Sequence, residues 1–336
     1  MAFRILALSG GGYLGLFSLR VLRLMEEAAG RPISQSFDLM CGTSAGAITT
    51  LALSLEVPAA EIEDAFVRHG PKIFQQPDGR FREVKRTWAF MRSLIRPKYT
   101  DVNLRRAIAS IIPEGSVLAD ARHRLVLPLV NMTTGALEVF KTPHLAQAAH
   151  NRNVSMIDLA VAATAAPTYF PLAELRNSLY VDGAIFANAP DLVGLHEAQY
   201  YLKQPSDQIE LLSIGTTTAS FSLPHGLGRN YGAVRWLRGG QLYATILSAQ
   251  QQLTHVFMRH HLGARYVRID STRAPGQQAD LAFDSATQAG TKTLFSLADH
   301  AFEEACKTPL MMEITKGTTS PPKFFDAAGG VISSQP

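Results

Sequence analysis

Phe37-Asp38-Leu39-Met40-Cys41 runs directly into Gly42-Thr43-Ser44-Ala45-Gly46, and the chain continues in an apolar stretch to Leu55. The first run reads as a short buried strand and the last, from Ala45, as a helix, so Ser44 lies in a Gly-x-Ser-x-Gly turn between the two. A serine on such a turn has its hydroxyl lifted above the sheet. Glycines two residues to either side remove the Cβ atoms that would clash there. The helix that follows points its N-terminus at the serine and favours a developing oxyanion. Ser44 is therefore the candidate nucleophile.

A second unit of the same kind opens the chain. Arg4-Ile5-Leu6-Ala7-Leu8 reads as a buried strand, Ser9-Gly10-Gly11-Gly12-Tyr13-Leu14-Gly15 as a glycine loop, and an apolar-periodic helix follows. Consecutive glycines let backbone N–H groups turn inward as an anion-binding nest, which makes Gly10, Gly11 and Gly12 candidate oxyanion donors. Gly10-x-Gly12-x-x-Gly15 is also compatible with a dinucleotide fingerprint. That reading needs an acidic residue at a strand end about 20 residues on, whereas Glu26 and Glu27 fall inside the helix. A phosphate loop is excluded because no Gly-Lys-Ser/Thr follows.

Further along, Leu179-Tyr180-Val181-Asp182-Gly183-Ala184 ends a short apolar strand in an acid followed by glycine. A carboxylate at a strand's C-terminal end lies where α/β folds place their chemistry, although an isolated Asp-Gly also caps ordinary turns. Ala163-Thr164-Ala165-Ala166-Pro167-Thr168-Tyr169-Phe170-Pro171 precedes Asp182, and Ile185-Phe186-Ala187-Asn188-Ala189-Pro190 follows it.

Taken together, the glycine loop, the Gly-x-Ser-x-Gly turn, the Ala165-Ala166-Pro167-Thr168-Tyr169-Phe170-Pro171 stretch and Asp182-Gly183-Ala184 with its Asn188-Ala189-Pro190 turn resemble the patatin-like phospholipases, in family order and over roughly residues 3 to 215. The resemblance implies a three-layer α/β/α fold with a mostly parallel central sheet, and a Ser–Asp dyad in which Ser44 attacks an ester carbonyl and Asp182 takes its proton. It also implies that Gly10, Gly11 and Gly12 supply the oxyanion N–H groups. The chain departs from the pattern at Leu14, where many relatives carry a basic residue, and at Ala189, often Asn; neither change removes the dyad.

Aspartate has an ordinary pKa near ~4 and is a poor base for a hydroxyl, so a dyad requires burial to raise it. Without histidine, the site leans on oxyanion stabilisation, worth roughly 3–4 kcal/mol per well-placed donor. The competing arrangement is a Ser-Asp-His triad with His196 or His225 as base, downstream of Asp182. None of the ten histidines lies in a motif that marks it.

With 336 residues, 46% of them hydrophobic and 18% charged, the chain can build a large core. No apolar stretch is long enough to span a bilayer, and the N-terminus enters the glycine loop too soon for a signal peptide. Two cysteines, Cys41 and Cys306, argue for a reducing compartment, so the expectation is a cytoplasmic protein acting at the inner membrane face. No metal-ligand pattern is visible, and neither a metal nor calcium dependence is expected. The net charge of +4 and pI near 9.1 suit an anionic partner. No helix-turn-helix or zinc-finger spacing supports DNA or RNA as that partner.

Strand-like runs at 3–8, 37–41, 124–131, 179–182, 209–214 and 265–269 alternate with helix-like runs near 13–29, 45–55, 155–165, 190–202, 241–262 and 285–306. The alternation predicts one α/β domain over residues 1–315 with a mostly parallel sheet, and a mobile tail after Lys316. Pro128 places the strand 124–131 at a sheet edge or in a bend. A basic insertion near 70–115 interrupts the pattern. Within it Phe81, Val84, Trp88, Met91 and Ile95 fall on one helical face, with Arg82, Lys85, Arg86, Arg92 and Arg96 opposite. Such a helix either docks on anionic lipid, through Arg82, Arg86, Trp88 and Arg92, or caps the catalytic domain.

The opening Leu8 to Phe17 and the string Phe37 to Gly46 further resemble the bacterial patatin-like effectors that cyclic nucleotides switch on in anti-phage defence. That resemblance implies a cyclic di- or trinucleotide activator and a membrane phospholipid substrate, and it is compatible with a homo-oligomer. Arg229, Tyr231 and Arg235, in the glycine-bearing stretch from Gly226 to Gly240, combine guanidinium and aromatic groups suited to phosphates and bases, or form an ordinary basic loop. Two other functions stay open: an ungated lipase or acyltransferase, and a non-catalytic lipid or nucleotide sensor.

Overall fold

A computed structural model describes residues 2–75, 95–217, 222–223, 225–237, 240–277 and 280–332. Arg82, Arg86, Trp88 and Arg92, the expected membrane-docking face, lie outside the described residues.

Eight strands form one sheet: β1 (Phe3–Leu8), β2 (Leu39–Gly42), β3 (Leu125–Asn131), β4 (Ala136–Lys141), β5 (Ala173–Leu175), β6 (Ser178–Asp182), β7 (Ile209–Ile214) and β8 (Tyr266–Ile269). They run in the order β5-β6-β3-β2-β1-β7-β8, with β4 also paired to β3. The pairs among β3, β2, β1, β7 and β8 are parallel, whereas β4, β5 and β6 join by antiparallel pairing.

The alternation of side chains along the strands generates the three layers. In β1, Leu6 and Leu8 enter one hydrophobic core while Phe3, Ile5 and Ala7 enter another; β7 divides likewise, Leu212 and Ile214 against Ile209 and Leu211. A strand apolar on both faces must be covered on both. The first core is closed by α1 (Gly15–Ala29), α2 (Ala45–Ser54), α3 (Ala59–Ile73), α4 (Val102–Ala109) and α5 (Met156–Ala163). The short α6 (Ala184–Ala187) follows β6, and α7 (Asp191–His196) begins the cover of the second core. Beyond them lie α8 (Ala233–Leu237) and α9 (Gln241–Leu262), which completes that cover through Met258 and Leu262, then α10 (Gln288–Ala305) and α11 (Pro309–Lys316) against the first core.

Helix ends obey local chemistry. Gly30 closes α1 in the left-handed region at φ 65°, Ser155 Oγ caps α5 by accepting the Asp158 N–H, and Thr287 Oγ1 does the same for α10 with Gly290.

Two expectations are corrected. Strand β3 is interior: Met40 and Cys41 pair with Leu125 and Val126, while Leu129 to Asn131 pair with β6. Pro128 falls at the changeover between those partners, so the ladder accommodates a residue without an N–H. The segment after Lys316 is also held. Thr319 N–H donates to Gln35 O at 2.9 Å and Phe325 N–H to Pro143 O at 2.7 Å, and a two-strand hairpin pairs Phe324–Phe325 with Val331–Ile332.

Candidate active site

Ser44 stands at the junction of β2 and α2 with φ 55° and ψ −122°, a conformation that an L-residue holds only under constraint. The constraint comes from its neighbours. A Cβ on Gly46 would strike Leu8 O of β1, and one on Gly42 would strike Gly46 O, so the turn closes only with glycine at both positions. Ser44 is 3% exposed, with the N-terminus of α2 beginning at the next residue.

Asp182 reaches Ser44 by a route the sequence did not show. Because β6 runs antiparallel to β3, it descends toward the C-terminal edge of β2 and ends there; Asp182 pairs with Leu129, just past Val126, the last β3 residue paired to β2. Thr43 Oγ1 donates to Ala187 O at 2.6 Å, fastening the serine turn to α6. The Asp182 N–H donates to Ala165 O at 3.1 Å, which draws the Ala165-Ala166-Pro167 string under the carboxylate.

The Asp182 carboxyl is fully buried, and burial pushes its pKa up to about 7, against the opposing pull of the Ser44 hydroxyl and the Ala184 N–H. Oδ1 accepts that N–H at 2.8 Å. Oδ2 is buried without a partner in ordinary hydrogen-bond geometry among the described residues, although Ser44 is near enough to favour the ionised form. A basic oxygen beside the serine is thus left open to take a proton.

The glycine loop lies against this pair, with a built Cβ of Gly10 only 3.0 Å from Ser44 Cβ. Its three N–H groups are not equivalent. Gly10 N–H is spent on Asn188 O at 2.9 Å, which corrects the expectation of three donors, while Gly11 and Gly12 N–H make no hydrogen bond among the described residues. Gly10 O accepts from Thr216 Oγ1 at 3.0 Å and from Asn188 Nδ2 at 3.3 Å. In a trans peptide the next N–H points away from that carbonyl, so these two side chains turn Gly11 N–H to the opposite side. Gly12 has φ 57°, and Tyr13 N–H donates to Phe283 O at 2.9 Å, which holds the far end of the loop.

A pocket opens from Ser44 between α3 and α4, lined by apolar side chains that include Ile48, Phe66, Ile73, Phe74, Ile108 and Phe283. Phe74 is among the lining residues, edge-on to Tyr99 at 5.5 Å, Phe170 at 6.2 Å and Phe283 at 6.3 Å. Its shape and lining suit an acyl chain. His69 also lines it; burial, with Lys72 and Arg68 nearby, lowers that imidazole's pKa and favours the neutral form.

Neither histidine considered as an alternative base meets the pair. His196 stacks on Tyr200 at 5.2 Å, and His225 is exposed in a turn. Tyr231, Arg235 and Trp236 do come together, the guanidinium 5.6 Å from the Tyr231 ring and the two rings 5.1 Å apart, while Arg229 is exposed; none of these lines the Ser44 pocket.

Sequence reasoning passed over Thr216, Tyr243, Gln250 and Phe283. Tyr243 hydroxyl is buried without a hydrogen-bond partner among the described residues, and the nearby Asp182 adds to burial in raising its pKa. These residues carry no motif, and a signal for them exists only in the packing.

Comparison with known proteins agrees with the geometry. The family model "Patatin-like phospholipase" matches residues 6–192. The chain is similar to a "cGAMP-activated phospholipase" of Pseudomonas aeruginosa, 35% identical over 96% of this chain and 95% of that one. It is likewise similar to a protein of the same description from Vibrio cholerae, 32% identical over 93% and 94%. It also resembles "Calcium-independent phospholipase A2-gamma" of Rattus norvegicus, 30% identical over 63% of this chain and 28% of the rat protein. A serine on a strained strand-to-helix turn, a buried carboxylate and a glycine loop in one pocket, with this agreement along nearly the whole chain, establish that the chain belongs to the patatin-like phospholipase family.

Proposed function

We propose that this chain hydrolyses acyl esters of glycerophospholipids with a Ser44–Asp182 dyad, at the inner face of a membrane, after a cyclic dinucleotide switches it on. The observation that carries the chemistry is the buried Oδ2 of Asp182 beside Ser44, which has no partner in ordinary hydrogen-bond geometry among the described residues.

The acyl chain enters the apolar pocket and sets the ester carbonyl over Ser44. Ser44 Oγ gives its proton to Asp182 Oδ2 and bonds to the carbonyl carbon. The resulting oxyanion is met by Gly11 and Gly12 N–H groups and the N-terminus of α2. Collapse breaks the ester C–O bond, and Asp182 returns its proton to the leaving lysophospholipid alkoxide. Water then attacks the acyl-enzyme, with Asp182 accepting its proton and passing it back to Ser44 as the fatty acid leaves.

Activation by cyclic GMP-AMP is inferred from two relatives of that description that match nearly the full chain. A role in anti-phage defence follows from the same likeness. Arg229, Tyr231 and Arg235 are the candidate nucleotide contacts, offering cations and an aromatic face in one short segment. No metal enters the scheme.

Fatty-acid release from phosphatidylglycerol and phosphatidylethanolamine vesicles tests the reading, using wild type and Ser44→Ala with and without cyclic di- and trinucleotides. Release that needs both Ser44 and one nucleotide is expected. Ser44-dependent release without nucleotide removes the gate, and no release under any condition removes the hydrolase.

A further inference from the structure

Helix α9 is built inside out. The side chains it buries include Ser248, Gln251 and Thr254 alongside Met258 and Leu262, whereas Leu242, Ile246, Leu253, Val256 and Phe257 are 38–55% exposed. At about 100° per residue these five exposed positions, with exposed Ala249 among them, occupy one sector roughly 100° wide. A helix facing water on its outer side carries the reverse pattern. Immediately before it, Val234 and Leu237 of α8 are exposed at 67% and 44%. The result is a contiguous apolar strip turned outward.

The charge around the strip is one-sided. From Leu211 to Ile269 the sequence has no aspartate or glutamate, and it has six arginines. Arg235 of α8 and Arg259 of α9 are exposed on the helices that carry the strip, and Arg229 is exposed in the segment before them. Two copies of this chain meeting face to face here would oppose cation to cation, with no carboxylate in the segment to pair them. An anionic lipid surface offers both what the apolar strip and what the arginines need.

The strip is also mechanically joined to the candidate site. Gln250 Nε2 donates to Ala184 O at 2.6 Å and Ile185 O at 2.9 Å, and Gln250 Oε1 accepts Asn188 N–H at 2.6 Å. At the first turn of the helix, Tyr243 lies 6.4 Å from Phe283, which lines the Ser44 pocket.

We propose that the outward face of α8–α9 is the membrane-docking surface, inserting Leu242, Ile246, Leu253, Val256 and Phe257 into the interface of an anionic bilayer with Arg259 at the headgroups. The inference rests on the phospholipase reading for its purpose but not for its test.

Binding is measured by co-sedimentation in the Ser44→Ala background, so that no lipid is consumed, with phosphatidylglycerol-containing and pure phosphatidylcholine vesicles. Phosphatidylglycerol binding is expected to exceed phosphatidylcholine binding and to fall by about tenfold or more in Leu253→Glu/Phe257→Glu. With Ser44 intact and cyclic dinucleotide present, the same double variant is expected to hydrolyse a soluble short-chain ester within about twofold of the parent, which checks its fold. Should the double variant fail to fold, Phe257→Trp supplies the reading: a blue-shifted emission on phosphatidylglycerol vesicles is expected. Unchanged vesicle binding, an unshifted tryptophan, or loss of self-association as the only effect overturns the proposal. Absent ester turnover in the parent, with the cyclic nucleotides present, overturns the hydrolase reading instead and leaves the vesicle result to be read independently.

Discussion

Asn188 and Gly10 grip each other at both ends of one residue: Asn188 O accepts the Gly10 N–H at 2.9 Å, and Asn188 Nδ2 donates to Gly10 O at 3.3 Å. Gly10 belongs to the glycine loop and Asn188 to the turn after Asp182. Their contact therefore ties the proposed oxyanion donors to the proposed base. Thr216 Oγ1 adds a second hold on the same carbonyl, from the segment that follows β7.

Loosening that grip should slow chemistry more than binding. Asn188→Ala and Thr216→Val are each expected to lower kcat about tenfold to a hundredfold on a soluble ester, with KM within about twofold, because one oxyanion donor is worth up to about 10²–10³ in kcat. Thr216→Ser keeps the hydroxyl and should recover most of the rate. Steady-state kinetics of the three variants checks this, and equal rates for Val and Ser variants would rule out the role of Oγ1.

The pH profile should report Asp182. With its carboxyl pushed up to about 7, the ionised form that accepts the serine proton is lost as pH falls through that value. The expected kcat/KM is flat above about pH 8 and falls about tenfold per unit below about pH 6. A plateau reaching down to pH 5 would contradict a base held at so high a pKa.

Stability should move in the opposite direction. The folded carboxyl has a pKa raised from the ordinary 3.8 to about 7, so between those values the native state holds a proton that the unfolded chain has released. Raising pH through that window therefore destabilises the fold, by up to about 4 kcal/mol. Asp182→Asn, which cannot ionise, should raise Tm at pH 8 clearly more than at pH 5, while abolishing turnover. Thermal unfolding at the two pH values measures the difference, and an equal shift at both would refute the buried carboxylate as its origin.

Gly46→Ala drives a methyl into Leu8 O, at the crossing of β1 with the serine turn. Backbone cannot yield as a side chain tip can, and a loss of about 3 kcal/mol or more in urea unfolding is expected. Gly226→Ala meets nothing within 4 Å and should change stability by less than about 0.5 kcal/mol.

His196→Ala and His225→Ala should leave kcat within about threefold of wild type, since neither ring contacts Ser44 or Asp182. A loss matching that of Ser44→Ala in either variant would restore the triad.

The motifs legible in the sequence are those whose physics is local. Gly42 and Gly46 flank Ser44 because the backbone crosses itself there, and the strand and helix on either side announce themselves by burial and period within a few residues. The same locality made the 3–8 and 209–214 strands and the 241–262 helix readable at the bounds the structure gives them. Asp182 was readable as an acid at a strand end. The direction of that strand, antiparallel to β3, was not, because pairing is decided by partners far along the chain. Thr216, Gln250 and Tyr243 were invisible for the same reason: each acts through hydrogen bonds or a buried contact made across the fold. Helix α9 shows the limit most plainly. Its sequence fixes a helix, but its apolar and polar stripes alone suggest the wrong side for the core. The docking of Gln250 onto the turn after Asp182, together with the packing of Met258 and Leu262 in the second core, turns Ser248, Gln251 and Thr254 inward and Leu253 and Phe257 out. Local propensity sets the element, and the competition among long-range contacts for buried polar partners sets which way it faces.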